Sequence, residues 1–347
     1  MTGNVHSLPV LAPWLVPQLQ ALRERKAHAL LLSGAAGMGQ YDLALALASS
    51  WLCENPQPHG ACGQCPSCHA VSVRTHADLA VLMPETTAMD LDWPLSASAQ
   101  DAIDDKKRKP SRWIRVDSAR EAIAFSQLTR SRSDVKVILV YPAERMNVET
   151  ANTLLKTLEE PPGDLRFVLA TEAAHQLLPT IRSRCQLHTM AWPAPEVIRP
   201  WLATQFAKPP AEADMDAWLL AAGGRAHAAL GWGQVGLTAA NWHGLPKRLA
   251  AGEGGVWSDW PAPEQLQTLL KLAHDLMATA SGGHPRFFDA QDLPAAPDWR
   301  ALQAWQQRLT QEAQVVEHPF NPGLTLEAWL ADTHATLSRA GRASARA

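Results

Sequence analysis

The chain has 347 residues, 46% of them hydrophobic, and a formal charge of −3, which suits two or three domains with real cores and excludes a disordered chain. The slightly acidic balance argues against a dedicated nucleic-acid coat, while a local basic patch stays compatible with it. No apolar stretch reaches the roughly 18 residues of a membrane span and residues 1–28 hold no charged segment followed by an apolar one, so a cytoplasmic protein without membrane association is expected.

Residues 28–33 form a short apolar run that predicts a buried parallel strand, and residues 42–51 an Ala/Leu-rich helix. Between them stand Gly34, Ala35, Ala36, Gly37, Met38, Gly39, Gln40 and Tyr41, the glycine frame of a phosphate-binding P-loop, G-x-x-x-x-G-K-[ST]. In a working loop backbone N–H groups cradle the phosphates, lysine reaches the β- and γ-phosphates, and the hydroxyl holds Mg²⁺. Here neutral Gln40 replaces the lysine, and Tyr41 carries its oxygen far beyond a β-carbon hydroxyl's reach. The frame is kept without its charge. A plain Gly/Ala-rich strand-to-helix turn is the alternative.

Four of the five cysteines, Cys53, Cys62, Cys65 and Cys68, follow at C-x₈-C-x₂-C-x₂-C spacing. Two-residue gaps let thiolates turn toward one ion, and four sulfurs suit a closed tetrahedral Zn²⁺ site of structural type. An iron–sulfur cluster also takes four cysteines, but its usual run ends C-x₃-C-P, and unligated thiols are a further alternative. His59 and His69 flank the group as bystanders, since the sulfurs complete the shell. The segment reads as a small knob on an α/β sheet.

The α/β pattern resumes with a strand at 76–82. Residues 84–112 are polar, and Asp101, Asp104 and Asp105 precede Lys106-Lys107-Arg108-Lys109; a solvated, self-neutralising loop is expected, with a nucleic-acid contact as the alternative. A helix at 117–130 leads to a strand at 135–141. An ATPase would end that strand in Asp-Glu, for Mg²⁺ and the attacking water, whereas this chain has Tyr141-Pro142. Each missing phosphoryl contact removes on the order of 3 kcal/mol of transition-state stabilisation, so hydrolysis and a functional ATP/Mg²⁺ site are not expected. A helix at 147–160 halts at Pro161-Pro162-Gly163, a strand follows at 167–171, and a last short strand at 186–188 comes after Ser183-Arg184-Cys185. Alternation of strands and helices indicates an α/β, mostly parallel, three-layer sheet. From spacing alone Arg184 reads as a surface or ion-pair residue, with Arg182 as a competitor for any role, and Cys185 as a packing thiol.

These motifs resemble those of the delta prime family of bacterial DNA polymerase III clamp-loader subunits, which are AAA+ proteins. The likeness covers most of residues 1–235 and rests on the altered P-loop, the Cys₄ group, Leu154-Leu155-Lys156-Thr157-Leu158-Glu159-Glu160-Pro161-Pro162 and Ser183-Arg184-Cys185. The resemblance implies a DNA-replication role in a hetero-oligomer with gamma/tau ATPase subunits and a delta subunit, which opens the sliding clamp and sets it on primed DNA. It implies a non-hydrolysing stator, no independent catalysis, and Arg184 as an arginine finger acting in trans. It places Thr171 at the first sensor position, where structural capping is an equal explanation. It puts His227 at the second, where the relatives carry arginine, with Arg225 as a possible substitute.

Trp192-Pro193-Ala194-Pro195-Glu196 reads as a hinge, dividing the AAA+ α/β domain (1–192) from a small helical lid (193–235). Apolar residues at helical spacing in 263–280, 298–316 and 325–337 indicate an all-α domain over 236–338, which the resemblance makes an oligomerisation collar; 339–347 is expected to be disordered. Ten of the fourteen tryptophans lie at or after Trp192 and suit core packing, subunit contacts or both. Two other functions fit parts of the chain: a divergent P-loop ATPase and a zinc-ribbon nucleic-acid-binding protein.

Overall fold

The computed structural model describes residues 10–316 and 321–338; the 339–347 tail lies outside the described residues. Strands β1 (Ala29–Ser33), β2 (Leu79–Leu82), β3 (Lys136–Val140), β4 (Leu165–Thr171) and β5 (Gln186–Thr189) form one parallel sheet in the order β2-β3-β4-β1-β5. Helix α1 (Val16–Arg23) precedes the sheet; parallel pairing demands crossovers, and helices supply them: α2 (Gln40–Leu52), α3 (Pro66–Ser72), α4 (Glu85–Asp90), α5 (Ala97–Asp104), α6 (Val116–Gln127), α7 (Val148–Glu159) and α8 (Pro179–Arg182).

The central strands are apolar on both faces because both are covered. Leu31, Ile138, Val140, Phe167 and Leu169 point into one core with Ala119 and Ala122 of α6, Leu154 and Leu158 of α7 and Ile181 of α8. The alternate residues Leu30, Leu32, Leu139, Val168 and Ala170 are equally buried, and α2 runs across β3 and β4. Each such large side chain contributes about 1.5–3 kcal/mol of burial, which is why the three-layer reading was available from hydrophobic runs alone.

The second strand starts later than the apolar run suggests, at Leu79 rather than residue 76. The cause is Asp78, a fully buried carboxylate that accepts the N–H groups of Ser131 (2.8 Å), Arg132 (2.9 Å) and Ser133 (3.0 Å), while its own N–H donates to His76 Nδ1 at 3.0 Å. Residues 76–78 are thus a clamp on the loop entering β3. Burial works against the Asp78 charge, but the three N–H donors win and hold its carboxyl below the usual range of 3.8. A lowered folded value means that this stabilisation is complete above the unfolded pKa and is lost as pH falls through the folded one. Asp78→Ala should lower unfolding stability at pH 7 by about 3 kcal/mol, by removing a buried carboxylate and the three charge-assisted hydrogen bonds it accepts. Denaturant melts should show the difference between wild type and variant shrinking below pH 4. A difference that is flat from pH 7 to pH 3 would remove the charge from the explanation.

Residues 84–112 are more ordered than a solvated loop. Glu85, nearly buried, takes a two-point ion pair from Arg108, with Nη2 to Oε1 at 2.6 Å, and accepts the Ser111 N–H at 2.8 Å, so one residue of the basic run is spent fastening the insertion. Lys107 pairs with Asp105 at 2.8 Å, in keeping with the self-neutralising expectation.

The chain divides into two compact units between Val197 and Ile198. The second is helical: α9 (Pro195–Thr204) spans the division and is followed by α10 (Glu212–Ala221), α11 (Ala226–Gln234), α12 (Ala239–Ala251), α13 (Ala262–Ala280), α14 (Trp299–Val315) and α15 (Pro322–Leu337). Tryptophan builds its core: Trp242, Trp257 and Trp305 are fully buried, and Trp232, Trp242, Trp260 and Phe288 stack in one group. Trp299 is half exposed. Lys271 lies over the rings of Trp232, Trp242 and Phe287, and burial, aided by the Arg225 charge, brings its ammonium down to about 7. Asp275 repeats the device of Asp78, accepting the N–H groups of Arg286, Phe287 and Phe288 at 2.7–2.9 Å. Among the described residues no helix is long and apolar enough to cross a membrane.

Candidate functional site

Gly34 leaves β1 at the carboxyl end of the sheet, the rim where open parallel sheets take ligands. Gly37 and Gly39 have φ of 79° and 89°, the left-handed region that favours glycine, and Gly39 caps α2. The glycine frame read from the sequence therefore folds as a strand–loop–helix turn. Its interior is occupied. Gln40, 2% exposed, donates Nε2 to the carbonyls of Gly34 (2.9 Å) and Ala35 (2.6 Å), and its Oε1 accepts the Met38 N–H at 3.3 Å. A phosphate entering this turn would have to displace three hydrogen bonds and face two carbonyl dipoles in place of the usual ring of N–H donors.

The neighbouring positions are tied up as well. Tyr41 accepts the Trp93 indole N–H at 2.6 Å, and its ring lies 5.3 Å from that of Tyr141. The Tyr141 hydroxyl donates to Glu172 Oε1 at 3.2 Å. Burial raises the pKa of both phenols, and at Tyr141 the Glu172 charge adds to it, so both stay neutral. Pro142 supplies no side-chain ligand and leads into the turn 143–145. Thr171, fully buried, donates its hydroxyl to Glu144 Oε2 at 2.7 Å and accepts the Ala173 N–H at 3.1 Å, while Glu144 Oε1 accepts the Glu172 N–H at 3.2 Å. Gly34, Gln40, Tyr41, Tyr141 and Thr171 thus come together at one rim, joined by the 3.3 Å bond from Gly34 N–H to the Thr171 carbonyl. Glu144 and Trp93, which hold this group, carry no spacing signal. His227 lies on α11 in the second unit, its ring 5.1 Å from that of Trp201, and Arg225 at the start of that helix donates to the Ala222 carbonyl at 2.7 Å.

Arg184 occupies the opposite rim. It precedes β5, whose Gln186 lies beside Leu30 near the start of β1. Four residues of strand, about 13 Å at ~3.3 Å each, separate that level from Gly34. An arginine there cannot serve its own chain's loop. Its Nε donates to Glu159 Oε1 at 2.5 Å, Nη2 reaches the same oxygen, and Nη1 donates to the Thr180 carbonyl (2.8 Å) and Ser183 Oγ (3.3 Å). Cys185 packs against the core, and burial pushes its thiol up to about 12.

The four cysteines converge between α2 and α3. Cys53 and Cys65 sulfurs stand 3.9 Å apart, Cys62 and Cys68 3.8 Å, and Cys53 and Cys68 3.6 Å. A tetrahedron with Zn–S bonds of about 2.3 Å has edges of about 3.8 Å, so these residues fit Zn²⁺. The N–H groups of Cys62, Cys65 and Cys68 point at the sulfurs of Cys53, Cys62 and Cys65, and those of Gln64 and Cys65 bring the Cys62 thiol down to about 6. Gly63, with φ of 74°, makes the knuckle between Cys62 and Cys65. Neither His59 nor His69 joins the group. Arg23 of α1 donates to the Gln57 carbonyl at 2.5 Å and fastens the module to the sheet domain.

Residues 15–193 match the family model described as DNA polymerase III, delta subunit. The chain belongs to that family. Among curated members of the group, DNA polymerase III subunit delta' of Pseudomonas aeruginosa is 39% identical over 191 residues, 55% of this chain and 51% of the relative. The Escherichia coli subunit delta' is 34% identical over 198 residues, 56% and 52%. The Escherichia coli subunit tau is 30% identical over 192 residues, 55% of this chain and 25% of tau. The chain spans about half the length of the delta' relatives it matches, and the family model covers the sheet unit with its cysteine module.

Proposed function

We propose that the chain is a non-hydrolysing stator of a DNA polymerase III clamp loader, working beside gamma/tau ATPase subunits and a delta subunit to place the sliding clamp on primed DNA. The observation that carries it is the Gln40 side chain seated inside its own loop, which occupies the space a phosphate would take. Tyr41, Tyr141 and Pro142 supply neither cation nor metal ligand at that rim, and the position of Arg184 at the opposite end of the sheet from its own loop supports a role toward a neighbouring subunit's nucleotide. Relatedness to tau supports assembly with subunits of the same fold. In this reading residues 1–192 are the AAA+ domain, 193–235 a lid and 236–338 a collar, with Trp299 among the collar's exposed contacts. Zn²⁺ would be held by Cys53, Cys62, Cys65 and Cys68 and would stabilise the module's fold.

The test is ATP turnover. The purified chain alone should release phosphate no faster than a buffer blank, and adding it to gamma and delta subunits should raise theirs. Steady hydrolysis by the chain alone, abolished by Gly37→Val, would replace this reading with the divergent ATPase.

A further inference from the structure

The guanidinium of Arg184 is already spoken for. Its Nε and Nη2 edge, the fork that matches a carboxylate or a phosphate side-on, lies on Glu159 Oε1, and both Nη1 hydrogens have acceptors of their own in Thr180 O and Ser183 Oγ. The two sets of contacts differ in kind. Thr180 and Ser183 lie within four residues of Arg184 and anchor one end of the group, whereas Glu159 closes α7 and brings a negative charge from a separate element. A carboxylate left on that edge would neutralise the charge a phosphoryl group needs and would repel the phosphate itself.

We propose that Glu159 is a latch on Arg184: the free chain holds the arginine's fork on its own carboxylate, and a neighbour's nucleotide phosphate exchanges with it while Nη1 stays tethered. This rests on the reading of Arg184 as a trans-acting arginine. The pair is built to exchange. Both side chains are partly exposed, 30% for Arg184 and 47% for Glu159, so the bond is screened and weakly held. The pocket beside it, lined by His28, Leu158, Glu159, Ser183 and Arg184, is open to solvent, so an incoming group has access to the fork without moving backbone. His28 meets the Leu158 carbonyl at 2.9 Å, which fixes the end of α7 against the start of β1 and keeps Glu159 in place. The latch makes the engaged state a fraction of the whole, and a ligand that needs that state then binds with an apparent affinity reduced by the same fraction.

The test uses full-length chain assembled with gamma and delta subunits and follows steady-state ATP turnover in wild type, Glu159→Gln, Arg184→Ala and the double variant. Glu159→Gln should lower the half-saturating ATP concentration about threefold, the scale of an exposed ion pair, with the maximal rate unchanged. In the Arg184→Ala background the same substitution should do nothing. Glu159→Ala serves as a second variant should the glutamine form fold poorly. A lower maximal rate in Glu159→Gln would make Glu159 a support for the working arginine and overturn the latch, as would an unchanged half-saturating concentration. Full stimulation by Arg184→Ala alone would instead defeat the parent assignment.

Discussion

Arg184→Ala should cut the ATP turnover that this chain stimulates in a gamma–delta mixture by about 10³-fold, the low end of what a finger supplied in trans contributes. Guanidinium charge acts most strongly on oxygens that gain charge in the transition state, so most of the loss belongs in the maximal rate, with a smaller, several-fold weakening of nucleotide affinity from the contact the fork makes with the ground-state phosphate. Arg184→Lys should recover little of it, because an ammonium is a point charge without the planar fork. The substitution removes one partly exposed ion pair and leaves the core alone, so thermal unfolding of the chain should move by no more than about 1 kcal/mol in stability. Assembly with the neighbours, read by size-exclusion chromatography, should be intact. Loss of assembly together with loss of turnover would make Arg184 an interface residue without a chemical role.

Removing the metal should be the largest structural perturbation. One zinc per chain is expected by elemental analysis, and chelation, or Cys65→Ser, should lower the melting temperature by on the order of 10 °C. Structural zinc contributes folding free energy outright, and here the loss is felt beyond the knob because Cys53 is the cap of α2, the helix that opens at the P-loop. Cys65 also caps α3, where its sulfur accepts the Cys68 N–H, so its loss breaks a ligand and a helix start together. Cobalt substitution should give the visible absorption of a tetrahedral thiolate site. Metal-free protein that melts at the same temperature would reduce the four cysteines to a thiol cluster.

The sheet was legible from the sequence because its central strands are covered on both sides and read as unbroken apolar runs. The altered P-loop and the cysteine spacing were legible because each is a local pattern. What escaped was long-range and polar. Nothing near His76 announces that Asp78 will turn away from the strand to bind a loop more than fifty residues on, and the residues between β2 and α6 read as solvated because the fastening of Glu85 by Arg108 joins groups 23 positions apart. Gln40 could be read as a lost lysine, but not as a plug, since that depends on carbonyls turned toward it by the glycines. The partner of Arg184 was hidden within the motif 154–162, where Glu159 carried no role of its own and nothing local joined it to a residue 25 positions on.

Parallel strands give the sheet unit a direction, with Arg184 at one end and the plugged loop at the other. On the proposed reading, a head-to-tail row of such subunits would unite one molecule's arginine with the next one's loop at each joint, so a member with a sealed loop would complete a joint on one side only. That asymmetry would fix its place at a terminus of the row, and a closed circle of equivalent joints could not form through it.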